Sequence, residues 1–91
     1  DGLNIRLASH SNSMAKYLES ELAGIKDVVI SRPVETNVVF AIIPQDLCKK
    51  LMKKHYFYIW DENTGEVRWM CSFNTRKEDI DNFVSDIKEL I

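Results

Sequence analysis

Residues 65 to 73, GEVRWMCSF, decide how this chain is read. Bulky side chains alternate along the stretch, as they do on a pleated strand. Val67, Trp69, Cys71 and Phe73 fall on one face, and Arg68, Met70 and Ser72 fall on the other. With Val67, Trp69 and Phe73 committed to a core, Arg68 must point the opposite way, towards solvent, a second domain or an anion. A guanidinium offers a planar fork of donors that matches a carboxylate through two charge-assisted hydrogen bonds. The plainer alternative is a surface arginine paired with a neighbour such as Glu66.

The flanks extend this strand into a hairpin. Tyr56 to Trp60 is aromatic and reads as a strand, and the turn cluster DENTG, residues 61 to 65, links it to a strand over residues 66 to 73. Downstream, Thr75 and Glu78 have capping-box spacing. Ile80, Phe83, Val84, Ile87 and Leu90 then mark the inner face of a final helix. Upstream, Asn37 to Ile43 is almost wholly apolar and predicts a central strand. Pro44 ends it and suits a helix start. A short helix is expected over residues 45 to 54, with Leu47, Cys48, Leu51 and Met52 inward and Lys49, Lys50, Lys53 and Lys54 outward. Val28 to Ile30 is a short β-branched run, interrupted by Arg32-Pro33.

The first third is helical by pattern. Leu3, Leu7, His10, Met14, Leu18, Leu22 and Ile25 recur at steps of three and four, which predicts an amphipathic helix over residues 3 to 23 with Gly24 as its stop. His10 on this stripe reads as a core histidine with a satisfied ring. The order is αββαββα: an α+β fold, a two-layer sandwich of a small, mainly antiparallel sheet with helices on one face.

Composition narrows the function classes. The 91 residues are 45% hydrophobic and 29% charged, which suits one soluble globular domain spanning residues 1–91. A net charge of −2 argues against nucleic acid, despite the aromatics Tyr56, Phe57, Tyr58 and Trp60. No apolar run reaches the ~20 residues that span a bilayer, so no membrane partner is expected. Cys48 and Cys71 make neither a CxxC pair nor a disulfide framework, and two buried thiols suit a reduced, cytoplasmic compartment. With His10 and His55 they share no ligand-type spacing, so no metal is expected. The acids are scattered, no glycine-rich phosphate loop is present, and all eight lysines fall on polar helix faces or their margins. A complete catalytic apparatus is therefore not expected here. The sequence opens at Asp1-Gly2 without a methionine and runs straight into a periodic segment. That is expected of a piece of a longer chain, a processed terminus or an expression remnant.

Three stretches taken in order, HSNSMAKYLESEL (10–22), SRPVETNVVF (31–40) and EVRWMCSFNTRKEDIDNF (66–83), resemble the C-terminal small domain of low-specificity threonine aldolases. These belong to the β-eliminating lyase group of fold-type I pyridoxal-phosphate enzymes. The resemblance runs over nearly the whole chain, with little carried by residues 44 to 66. It implies a parent lyase that cleaves L-threonine or L-allo-threonine to glycine and acetaldehyde, and a homo-oligomer. It also implies a large domain, absent from this chain, that holds pyridoxal phosphate and its lysine. The small domain closes over the site, so the fragment alone is expected to be inactive. Carried over by motif, Arg68 binds the α-carboxylate of a β-hydroxy amino acid, with Asn37 and Ser72 as further site-lining candidates. Two alternatives stay open: a free-standing α+β amino-acid-binding or regulatory module, and the small domain of another fold-type I enzyme such as an aminotransferase. The free-standing alternative requires unaided binding of an amino acid.

Overall fold

The alternation is realised from Val67 to Cys71 in a computed structural model, which describes residues 2–91. In chain order the elements are α1 (Gly2–Leu22), β1 (Val29–Ile30), β2 (Val38–Ile42), α2 (Gln45–Leu51), β3 (Tyr58–Asp61), β4 (Glu66–Met70) and α3 (Lys77–Leu90). The strands form one sheet in the order β1-β2-β4-β3, and every neighbouring pair is antiparallel. The α+β sandwich expected from the sequence is therefore the fold. β2 and β4 are the interior strands, paired Val39 to Trp69, Phe40 to Arg68 and Ala41 to Val67.

Because side chains alternate, each interior strand has one buried row. Val39, Ala41, Val67 and Trp69 are buried under the helices, together with Leu18 and Leu22 of α1, Leu47 and Leu51 of α2, and Ile80, Val84 and Ile87 of α3. The opposite row of Val38, Phe40, Ile42, Arg68 and Met70 is half-buried or exposed. Asn37 extends the β2–β4 ladder by one rung: its carbonyl accepts the Cys71 amide and its side-chain amide donates to the Cys71 carbonyl, both at 2.8 Å. At the hairpin, Gly65 holds a φ of +80°, and a Cβ there would lie 2.9 Å from the Ile43 carbonyl oxygen, so the turn requires glycine. Gly24 ends α1 at a φ of +87°.

Four expectations need correction. The first half of α1 is not core: Leu3, Ile5 and Leu7 are exposed, and burial begins at Ser11. His10 with them is exposed, and its Nε2 lies 2.7 Å from the Thr75 carbonyl, a tie between helix and loop. A helix of 21 residues is about 31 Å long, and the sheet with α3 covers only its second half. Phe73 is 62% exposed, because β4 ends at Met70 and a turn closed by Thr75 N–H to the Ser72 carbonyl redirects the chain. The start of α3 is one residue later than the Thr75–Glu78 spacing predicts. Asp79 accepts the Arg76 amide at 2.9 Å, while the Thr75 hydroxyl accepts the Ser72 amide at 2.8 Å. The helix expected over residues 45 to 54 ends at Leu51, and beyond it Lys54, expected on its solvated face, pairs with Asp86 at 3.6 Å and Glu89 at 3.9 Å.

The covered half of α1 should carry nearly all of its stabilising burial. Leu18→Ala should cost ~2–5 kcal/mol in a denaturant titration. Leu7→Ala, on the same stripe, should cost less than about 1 kcal/mol. Equal losses would contradict this division of the helix.

Candidate functional site

The uncovered face of the sheet carries a cluster built on Arg68. Its register partners are Phe40 on β2 and Tyr58 on β3, so the arginine stem rises between two aromatic neighbours. Its guanidinium carbon lies 5.8 Å from the Trp60 ring centroid, within reach of a cation–π contact. Trp60 is set by an edge-on contact with Phe40 at 5.3 Å. Among the described residues Arg68 forms no ion pair. The pairing with Glu66, offered by the sequence as the plain alternative, does not occur.

Glu66 is engaged elsewhere. Arg32 donates from Nε to Oε2 at 3.1 Å and from Nη2 to Oε1 at 3.2 Å, a two-pronged pair, and the Ser31 hydroxyl donates to Oε2 at 2.6 Å. Arg32 also lies over the Phe40 ring at 4.4 Å and 5.9 Å from the Trp60 centroid. The Ser31 hydrogen bond, then Arg32, holds the Glu66 carboxyl below the usual carboxylate range. The face thus brings together two guanidiniums and one carboxylate around one indole.

The other sequence candidates lie apart from this cluster. The Asn37 side chain is spent on the Cys71 backbone, and Ser72 donates its hydroxyl to the Asn74 side chain in the turn after β4. Cys48 and Cys71 are buried, and burial pushes both thiols up, so neither is activated. Of the aromatics Tyr56, Phe57, Tyr58 and Trp60, only Phe57 is buried; it meets Trp69 edge-on at 5.9 Å. Sequence reasoning missed Ser31, Arg32 and Trp60 as members of the cluster. Arg32 drew attention only as part of a strand interruption, and no local pattern places it over β4.

What the face offers chemically is one guanidinium without a carboxylate partner among the described residues, beside an indole. Two clefts of about 390 and 610 Å³ lie elsewhere on the molecule, and Arg68 lines neither. Arg68 stands on an open surface, so a ligand there is enclosed only from one side. All eight lysines are exposed, and the positive-φ glycines Gly24 and Gly65 serve a helix end and a hairpin. These residues do not fit a pyridoxal-phosphate site, which needs a lysine in a desolvated setting and donors for a phosphate. Among the described residues no group of three or more His, Cys, Asp or Glu is arranged to hold a metal ion, and no helix is long and apolar enough to cross a membrane.

Comparison with known proteins bears out the resemblance read from the sequence. The chain is 31% identical over all 91 of its residues to a low specificity L-threonine aldolase of Pseudomonas sp. (strain NCIMB 10558). It is 29% identical over 84 residues to a low specificity L-threonine aldolase of Pseudomonas aeruginosa. The matches cover 26% and 24% of those proteins, so the chain spans about a quarter of the length of the curated relatives it matches. No protein-family model matches it.

The geometry around Glu66 sets a pH dependence. Its folded pKa is depressed, so its contribution to stability is present above the unfolded value of about 4.3 and is lost as pH falls through the folded value. Glu66→Gln should lower the thermal midpoint at neutral pH, and the gap to the unaltered chain should close as acid is added below about pH 4. A gap that persists unchanged into strong acid would show that the ionised carboxylate is not what Ser31 and Arg32 stabilise.

Proposed function

We propose that this chain is the small C-terminal domain of a pyridoxal-phosphate-dependent lyase akin to the low-specificity threonine aldolases, and that Arg68 is its ligand for the substrate α-carboxylate. The observation that carries this reading is an arginine on an open sheet face, flanked by aromatics and left without a carboxylate partner while its nearest acid is tied to Arg32. A half-buried guanidinium with unused donors favours an external carboxylate through a two-pronged contact.

The division of labour follows from what the chain lacks and what it offers. Its exposed lysines do not suit the cofactor, and similarity to the threonine aldolases supports placing the cofactor and the reacting groups in a large domain of the same polypeptide. This domain contributes orientation. Holding the carboxylate of a β-hydroxy amino acid at a fixed point restricts the substrate to a narrow range of poses before any bond breaks. The open setting of Arg68 fits that role, because the second wall comes from the large domain when the small domain closes over it. The substrates are then L-threonine and L-allo-threonine, cleaved to glycine and acetaldehyde by a cytoplasmic homo-oligomer.

The test is kinetic, in the polypeptide that joins this chain to its large domain. Arg68→Ala should lower kcat/KM for threonine by about 30- to 5,000-fold, the equivalent of ~2–5 kcal/mol. Arg68→Lys should recover only part of this, since an ammonium lacks the planar fork. An unchanged kcat/KM in Arg68→Ala would remove Arg68 from the site.

A further inference from the structure

Glu66 and Arg68 lie two residues apart on the same face of β4, about 6.6 Å along the strand. That is the natural distance for an internal ion pair, and such a pair would fill the fork of Arg68 with a carboxylate the protein already carries. Glu66 is bonded by Ser31 and Arg32 from the segment after β1; Asp61 is its register partner on β3, and Arg68 stands two residues along its own strand. Asp61 turns one oxygen to the Asn63 amide at 2.9 Å. Ser31 and Arg32 take both Glu66 oxygens.

We propose that Ser31 and Arg32 are positioning residues that hold the Glu66 carboxylate off Arg68, so that Arg68 stays open to an external carboxylate. This rests on Arg68 as the carboxylate ligand. The cluster carries two positive charges and one negative, and the pairing decides which guanidinium displays the excess. Arg32 is better placed to be the neutralised one. It stacks on Phe40 at 4.4 Å and meets Glu66 with two parallel donors, a geometry that a flexible neighbour on the same strand reproduces poorly. Trp60 then lies near both guanidiniums, at 5.9 and 5.8 Å from its ring centroid.

A structural role for Arg32, fastening the segment after β1 to the sheet, makes a different prediction from a positioning role. The Nε–Hε signals of Arg32 and Arg68 are followed by nuclear magnetic resonance in the 91-residue chain while Glu66 is titrated. In the unaltered chain the Arg32 signal should track Glu66 and the Arg68 signal should not. In Arg32→Ala the Arg68 signal should begin to track Glu66, and in Arg32→Ala/Glu66→Gln this response should vanish. Arg32→Gln serves where Arg32→Ala loses its spectral dispersion. An Arg68 signal indifferent to Glu66 in a folded Arg32 variant, or one that tracks it in the unaltered chain, overturns the proposal. In the longer polypeptide, Arg32→Ala should raise KM for threonine by about 1.4- to fivefold, the range of a half-exposed ion pair, with kcat little changed. Adding Glu66→Gln should restore KM, and a further additive loss overturns the positioning role. If Arg68→Ala leaves kcat/KM unchanged, Arg68 is not the carboxylate ligand, while the resonance experiment still decides what holds Glu66.

Discussion

Alternation along β4 divides this molecule into two chemistries. The strand is paired on both sides, to β2 and to β3, so its side chains have no freedom to lean around an edge. Val67 and Trp69 go down into the helices; Arg68 and Met70 go to the open face, where Glu66 of the same row is buried beneath Ser31 and Arg32. A one-residue slip would bury a guanidinium and expose the largest ring of the core, a cost that pins the register. Asn37 and Gly65 guard the two ends of that register, one by a side-chain hydrogen bond across to Cys71, the other by fitting under the Ile43 carbonyl.

The open face inherits its character from this constraint. Phe40 sits beside Arg68 because it is the register partner, and Trp60 reaches Phe40 across the strand between them. Arg32 arrives from outside the sheet and closes on Glu66. Two arginines near one indole would repel if both were unpaired. One internal carboxylate resolves this by neutralising only Arg32, and a single unpaired fork remains. That asymmetry is what supports reading Arg68 as a receptor for a carboxylate and Arg32 as part of the frame.

Most of the fold was legible because period and punctuation agree in it. The Val67–Trp69–Cys71 alternation, the DENTG turn, the apolar run before Pro44 and the Ile80–Val84–Ile87 stripe each had one physical solution. The misses share a cause as well. A stripe such as Leu3–Leu7–His10 reports that a helix is amphipathic, not what covers it, and here the sheet ends before the first half of α1. Phe73 continued the alternation on paper, but the Ser72–Thr75 turn had already ended the strand. Arg68 could be singled out because one strand defines its face. Arg32 could not, because its partner lies 34 residues away and no local pattern encodes that contact.

The central claim is that Arg68 meets the carboxylate of an amino acid. The direct measurement is a crystal structure of the longer polypeptide with a β-hydroxy amino acid or an unreactive analogue bound. The account predicts two guanidinium nitrogens of Arg68 at about 2.7–2.9 Å from the two carboxylate oxygens, with Glu66 still held by Arg32. A carboxylate bound by other residues, with Arg68 turned to solvent or paired to Glu66, would contradict it.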